Sequence, residues 1–337
     1  MIGIKNRRYI GCKTKLLEEI FDSIPNKQLK NKNMVFADLF AGTGVVGYYF
    51  AEKGYKVIVN DILLSNIIPY HTFFSDEAID IEKIRNIIAE YNAMSYDVIK
   101  PNYVSDIYSD KYFSFNDAKK IGFIREDIEK RKSELNDREY NYLLTSLLYT
   151  VDKIANTCGH FEFYLKRKPV DSDFKLGEID IEDIKNAQIF NLDANELVRK
   201  IKCDVAYIDP PYNARQYVNF YHVLENLARW EKPTEFEGNS MKFKRNHLKS
   251  GYSKSIAVEL MEDLINNLDA KVIVVSYNNT YNAKSGASNN KIQENELEAI
   301  LRKKGKLTIK EIDYKYFNSG KTDFDNHKEK IYVCEVM

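Results

Sequence analysis

The sequence predicts an α/β fold, a mostly parallel sheet covered by helices, finished by antiparallel C-terminal strands and interrupted by a mainly helical insertion. Three observations lead there. Residues 34–38 (MVFAD) form a buried-type strand, residues 39–44 (LFAGTG) a glycine turn, residues 45–53 a helix and residues 57–61 (VIVND) a second strand. Strand, tight turn, helix and strand make a right-handed βαβ unit, the building block of a parallel sheet. From about residue 64 to 185 helical periodicity dominates, and from residue 186 strand-like runs return. The chain therefore divides into a sheet domain of residues 1–64 and 186–337 and an inserted helical region of residues 65–185.

Residues 1–20 read as a basic loop leading into a short amphipathic helix. Within the insertion, helices are expected over 79–91 and 138–154, the second with Tyr140, Leu144, Leu147, Leu148, Val151 and Ile154 on one face. Residues 155–166 break the pattern with small, polar and aromatic side chains. Strands follow at 187–193, 205–209 and 271–276, with helices over 195–201, 218–230, 256–268 and 294–303 and a basic loop at 231–254. Residues 307–317 and 329–336 close the sheet as an antiparallel pair.

A chain of 337 residues with 44% hydrophobic and 30% charged residues is long enough to bury a sizeable core. It has no apolar run of about 18 residues and no apolar segment behind its basic N-terminus, so neither a membrane span nor a secretory signal is expected, and a cytoplasmic location is. The 4 cysteines are scattered and the 5 histidines lack ligand spacing, so reduced, mostly buried thiols and no structural metal are expected. Net charge is zero. Its distribution says more, because Lys166-Arg167-Lys168 and residues 242–249 (KFKRNHLK) concentrate cations.

Two stretches carry chemistry. Residues 205–212 (VAYIDPPY) are an apolar run that stops at an acid, two prolines and a ring. Prolines neither continue a ladder nor donate hydrogen bonds. Asp209, Pro210, Pro211 and Tyr212 would thus hold a carboxylate, a backbone carbonyl and an aromatic face in fixed relation, which suits a flat molecule carrying an amino group, such as a nucleobase. The plainer alternative is that the prolines only end a strand and Tyr212 packs nearby. Residues 42–47 (GTGVVG), with Asp61 close to 20 residues on, also admit a dinucleotide reading. Asp38 separates the two ligands. A carboxylate beside the turn repels a pyrophosphate but attracts the ammonium and sulfonium of S-adenosylmethionine, which has no phosphate. Asp61 can accept from ribose hydroxyls in either scheme.

With Asp38-Leu39-Phe40-Ala41-Gly42-Thr43-Gly44 and Asp209-Pro210-Pro211-Tyr212 together, the chain resembles the α-group adenine-specific (N6) DNA methyltransferases, the family of Dam and the FokI-type methylases, over nearly its whole length. Residues 8–13 (RYIGCK) are similar to that family's N-terminal cofactor motif, with Cys12 where serine or glycine is more usual. Motif order and the roughly 170 residues between Asp38 and Asp209 match the α arrangement. The resemblance implies a Rossmann-like methyltransferase sheet using S-adenosylmethionine, with an inserted target-recognition region. It puts Tyr9, Lys13, Asp38, Phe40, Gly42, Gly44, Asp61, Ile62, Asp193 and Asp209 on the cofactor, and Asp209, Pro210, Pro211 and Tyr212 at the reacting base. Residues 276–279 (SYNN) are similar to a later strand-end motif near the active site, and residues 155–166 to a segment on the DNA side of FokI-type methylases.

The implied activity is methyl transfer to N6 of an adenine flipped out of duplex DNA, as the modification component of a restriction-modification system. A cognate restriction endonuclease is then the expected companion, and monomeric action suits an asymmetric site. Flipping costs a few kcal/mol, offset by about 1–3 kcal/mol if Tyr212 stacks on the base. Lys166, Arg167, Lys242, Lys244 and Arg245 are candidates for phosphate contacts. Asn156 is a candidate for a base edge, or for satisfying backbone groups in the interior. Tyr316 or Phe317 is a candidate wall of the base pocket. Methylation at cytosine C5 is disfavoured because no Pro-Cys nucleophile motif occurs. Cytosine N4, RNA, a non-catalytic DNA-binding subunit and, more remotely, a dehydrogenase remain as alternatives.

Overall fold

The computed structural model describes residues 1–281, 286–313 and 328–337. Its strands in chain order are β1 (Val35–Asp38), β2 (Lys56–Asn60), β3 (Ala187–Phe190), β4 (Val205–Ile208), β5 (Phe236–Glu237), β6 (Lys242–Phe243), β7 (Val272–Asn278), β8 (Gly305–Asp313) and β9 (Lys328–Val336). Two compact units make up the chain. One comprises Met1–Cys12, Leu63–Lys185 and Val218–Asn246, the other Lys13–Ile62, Asn186–Tyr217 and His247–Met337. The segments 1–12 and 218–246 thus fall with the helical residues rather than with the sheet.

The second unit carries a sheet of seven strands in the order β3-β2-β1-β4-β7-β9-β8. The neighbours from β3 to β7 run parallel, and β9 is antiparallel to both β7 and β8. β4 is buried throughout and β7 at all but its last residue, as parallel strands covered on both faces must be. Alternate residues serve different layers. Ala37, Ala206, Ile208, Ile273 and Val275 share a core with Met261, Leu264 and Ile265 of the helix Ala257–Asn267 and Leu297, Ile300 and Leu301 of the helix Glu294–Lys304. Phe36 instead stacks on Phe50 of the helix Val45–Glu52, ring centroids 3.7 Å apart.

Strand order reverses between β1 and β4, since the chain moves outward from β1 through β2 to β3 and returns to β4 on the other side of β1. Ligands of such sheets bind beyond the carboxyl ends of the strands at this switch point. Asn60, 1% exposed at the end of β2, ties that edge together. Its Nδ2 donates to the Leu39 and Leu192 carbonyls at 3.0 and 3.1 Å, and its Oδ1 accepts from Leu192 N at 3.0 Å.

In the first unit, the helix Asp137–Ile154 starts at a capping box, Asn136 Oδ1 accepting from Glu139 N at 2.8 Å and Glu139 Oε2 from Asn136 N at 3.1 Å. The single apolar face expected of it is too narrow a description, because Tyr142, Leu143, Thr145, Ser146, Tyr149 and Asp152 are buried as well. Polar members inside this helix have partners that make such burial affordable. Arg138 donates to the Thr72, Glu77 and Glu182 carbonyls and pairs with Asp183, and Tyr142 hydroxyl both donates to Ile179 O and accepts from Ile179 N. The helix expected over 218–230 is broken at Tyr221, whose ring stacks on Tyr9 at 4.6 Å and whose hydroxyl accepts from Ile10 N. The loop expected at 231–254 contains the β5–β6 hairpin.

No disulfide links the described cysteines. Cys203 and Cys334 are buried, Cys12 is half-buried and Cys158 exposed, so burial is less general than the sequence suggested. Among the described residues no helix is long and apolar enough to cross a membrane, and no group of three or more potential ligands is placed to hold a metal ion.

Replacing Asn60 by alanine strands two carbonyls and one N–H at the sheet edge. The Asn60→Ala variant is expected to lose about 2–4 kcal/mol of unfolding free energy in urea titrations. A loss under about 1 kcal/mol would show that water replaces the amide there.

Candidate active site

The switch point gathers four strand ends in the sheet unit. β1 and β4 pair with Asp38 opposite Tyr207, so Asp38 and Asp209 sit at the ends of neighbouring parallel strands. The turn between β1 and the helix Val45–Glu52 needs left-handed backbone at Gly42 (φ 56°) and Gly44 (φ 81°), which glycine supplies without strain. Asp61 fixes the turn by accepting from Gly42 N at 3.0 Å. Asp38 Oδ2 accepts from Gly47 N, in the first turn of that helix, at 3.3 Å. Its Oδ1 is buried without a well-formed hydrogen bond among the described residues. Burial, then the charges of Asp209 and Asp61, hold the Asp38 carboxyl well above the usual carboxylate range, and the Gly47 and Phe40 amides offset only part of this. A buried acid with an unspent acceptor and acidic neighbours is a site for a cation.

A second cluster surrounds Asp209. Lys13 Nζ lies 3.2 Å from Asp209 Oδ1, 2.8 Å from Glu329 Oε1 and 2.8 Å from the Tyr212 hydroxyl. That hydroxyl is also within hydrogen-bond distance of Asp209 Oδ1, and 3.0 Å from Glu329 Oε1. Glu329 is the second residue of β9, and because β9 runs antiparallel to β7, with Glu329 opposite Asn278, its first residues reach the same edge as the ends of the parallel strands. Tyr277 braces the loop, its hydroxyl donating to Tyr212 O at 3.3 Å and its ring 4.6 Å from that of Tyr212. Beneath it, Tyr207 donates to Ser276 Oγ at 2.8 Å.

Charge balance in this cluster sets its protonation. Burial favours a neutral Lys13, but Asp209 and Glu329 outweigh it and hold the ammonium well above its ordinary range. Burial lifts Asp209 to about 6, Glu329 adding to the rise while Lys13 and Tyr212 oppose it. Burial and the same two carboxylates push the Tyr212 phenol well up, so it stays a donor.

The other sequence candidates are placed as follows. Phe40 is half-buried, edge-on to Tyr252 at 5.1 Å, and Ile62 is half-buried beside Asp61. Asp193 is exposed and caps the helix Ala194–Leu197, accepting from Asn195 N at 2.9 Å. Tyr9 belongs to the helical unit. There it stacks on Tyr221 under the guanidinium of the buried Arg7, 5.4 Å from each ring.

Among the DNA candidates, Lys166 and Arg167 are exposed. Asn156 is buried, its Nδ2 directed to the Lys111, Leu165 and Arg167 carbonyls and its Oδ1 accepting from Arg167 Nε. This is the structural alternative weighed for it: its amide organises the loop. Lys244 pairs with Glu235, and Lys242 stands 4.0 Å from Glu162. Arg245 is buried and ties Asn219, Glu237 and the Phe243 carbonyl at 2.7, 3.0 and 2.8 Å. Tyr316 and Phe317 lie outside the described residues.

Glu329 and Asn60 were not singled out by sequence reasoning. A signal existed for Glu329, as an acid between two lysines at the start of an apolar strand is out of place unless it faces something.

The raised Asp209 pKa has a consequence for stability. Between about pH 4 and pH 6 the folded protein keeps a proton that the unfolded chain has lost, so this group's contribution to stability is present at low pH and falls as pH rises through that window. Asp209→Asn lacks the effect. Its melting temperature relative to the unmodified protein should therefore climb from pH 4 to pH 7, and melting curves that stay parallel across that range would contradict the assigned protonation.

Residues 9–282 match the D12 class N6 adenine-specific DNA methyltransferases. The chain is 37% identical over 334 residues to the modification methylase StsI of Streptococcus sanguinis, an alignment that takes in 93% of this chain and 49% of that protein. It is 32% identical over 335 residues to the type II methyltransferase M.NlaIII of Neisseria lactamica, covering 95% of each. With the type II methyltransferase M.FokI of Planomicrobium okeanokoites it shares 32% identity over 316 residues, 88% of this chain and 47% of the other. The chain thus spans about half the length of StsI and M.FokI and nearly all of M.NlaIII. The family match over most of the sequence agrees with the two strand-end motifs and the sheet that carries them: the chain belongs to the D12 class N6 adenine-specific DNA methyltransferase family.

Proposed function

We propose that this chain transfers a methyl group from S-adenosylmethionine to N6 of an adenine flipped out of duplex DNA, as the modification component of a restriction-modification system. The observation that carries the reading is the pairing of two acids at the switch point, Asp38 with its unspent Oδ1 and Asp209 leading Pro210, Pro211 and Tyr212. The donor set fits S-adenosylmethionine, since a buried, incompletely satisfied carboxylate suits an ammonium and repels a phosphate. Asp38, Phe40, Gly42, Gly44, Asp61 and Ile62 would hold it, with Tyr9, Lys13, Asp193 and Asp209 as the further positions that the family motifs name. When bound, it supplies a methyl group on a positively charged sulfur.

The residues of the chain do the rest by position and electrostatics. The exocyclic nitrogen of adenine is a poor nucleophile because its lone pair is delocalised into the ring. Asp209 and the Pro210 carbonyl accept hydrogen bonds from that amino group and draw the nitrogen toward tetrahedral geometry, freeing the lone pair. Tyr212, half-buried and braced by Tyr277, offers a ring for the base to stack on. Asp209 is the stronger acceptor when ionised, so kcat/KM falls as pH drops below about 6. Lys166, Arg167 and Lys244 are exposed and are candidates to meet phosphates, Arg167 with its Nε given to Asn156 and Lys244 paired with Glu235, whereas Lys242 is half-buried near Glu162 and Arg245 is buried against Glu237. We read the enzyme as a monomer with a cognate endonuclease as companion.

Methyl-labelled S-adenosylmethionine and mixed unmethylated duplex DNA, followed by separation of the product nucleosides, test this directly. Label in N6-methyladenine is expected, and label in N4-methylcytosine would overturn the choice of base. Asp209→Ala is expected to abolish transfer with cofactor binding still measurable. Asp38→Ala is expected to weaken calorimetric cofactor affinity by tenfold or more, roughly the loss of one charge-assisted hydrogen bond.

A further inference from the structure

Asp209 is not idle before a base arrives. Its Oδ1 is approached both by Lys13 Nζ at 3.2 Å and by the Tyr212 hydroxyl. An amino group that takes over this carboxylate competes with two donors, the half-buried Tyr212 and Lys13, whose side chain is only 8% exposed. Donors stranded in such a place oppose binding. Yet both donors reach a second acceptor, since Glu329 Oε1 lies 2.8 Å from Lys13 Nζ and 3.0 Å from the Tyr212 hydroxyl. The Glu329 side chain is itself 4% exposed, and the β7–β9 register fixes its place.

We propose that Glu329 is a positioning residue which takes over Lys13 and Tyr212 when Asp209 turns to the substrate amino group. The two donors pass from a shared pair of acceptors to one, and neither is stranded. The Tyr212 hydroxyl has one proton to give, so its choice between Asp209 and Glu329 is a two-position switch on the loop that also presents the aromatic ring. The inference rests on Asp209 being the acceptor of that amino group.

A purely structural Glu329 that only neutralises Lys13 predicts the same electrostatic effect on Asp209 but no fall in kcat on replacement by glutamine. The groups that face Asp209 are Lys13 from the segment before the first helices, Glu329 from β9, Tyr212 from its own loop, Tyr207 from β4 and Asp38 from β1. Glu329 raises the Asp209 pKa and Lys13 lowers it. Glu329→Gln therefore moves the acid limb of kcat/KM to lower pH, and Lys13→Met moves it to higher pH.

The test uses the full chain, S-adenosylmethionine and mixed unmethylated duplex DNA, with calorimetric cofactor affinity measured alongside. Glu329→Gln is expected to lower kcat about tenfold with cofactor affinity within about twofold, and to shift the acid limb downward. Glu329→Asp should recover part of the rate. In cofactor-free protein, the Asp209 carboxyl followed by carbon-13 NMR should titrate at lower pH in Glu329→Gln. An unchanged rate, or a lowered rate with an unmoved acid limb, would overturn the proposal. If Glu329→Gln melts too low to assay, Glu329→Asp and the opposite shift in Lys13→Met carry the decision. Absence of transfer by the unmodified protein defeats the functional reading itself, and this inference with it.

Discussion

Asp38 and Asp209 end neighbouring parallel strands, and Asp209 burdens Asp38 with negative charge where little water can screen it. Such a pair persists in a folded protein only when cations or donors are supplied on both sides. Lys13 supplies one beside Asp209, and the Gly47 amide of the helix Val45–Glu52 supplies part of the other beside Asp38. Asp38 remains undersupplied. The rest of the sheet unit follows from this imbalance. Asn60 and Asp61 keep the strand ends and the glycine turn rigid enough to hold two acids close, and Tyr207, Ser276 and Tyr277 fill the space behind them with partnered hydroxyls.

Much of this was legible in the sequence because it is local. Apolar runs that end in an acid identify β1 and β4, two glycines identify a turn with left-handed backbone, and two prolines identify a rigid strand end. Glu329 was hidden for the opposite reason. It lies 120 positions from Asp209, and only the antiparallel pairing of β9 with β7 brings it to the same edge. Asn60 was hidden because its amide joins segments from three parts of the chain.

Charge runs are where one-dimensional reading leaves out most of the surroundings. Residues 242–249 look like a basic patch, yet in the folded hairpin region Lys244 and Arg245 meet Glu235 and Glu237, acids that stand a few positions upstream and turn back onto them. Asn156 shows a similar effect, since a side chain that can read a base can equally satisfy three carbonyls of its own loop. The helix Asp137–Ile154 was recognised by one apolar stripe, but tyrosine, serine and arginine side chains with backbone partners let it sink on its other faces too.

Glu329 stands between Lys328 and Lys330. Side chains alternate along a strand, so a slip of β9 by one residue against β7 would bring a lysine to the place now held by the acid. Contacts on the far side of β9 hold it to β8, and one, from Lys330 to Glu294 at the start of the helix Glu294–Lys304, ties it to an element outside that strand pair. Lys328 and Lys330 are paired with Glu311 of β8, and Lys330 also with Glu294, at 2.6, 3.0 and 2.5 Å, while Gly305 lets β8 lie so close that an added methyl would meet the Glu335 carbonyl oxygen at 2.0 Å. The sign of the charge beside Asp209 is thus decided by strand alignment, and the edge of the sheet works as a vernier for its candidate active site.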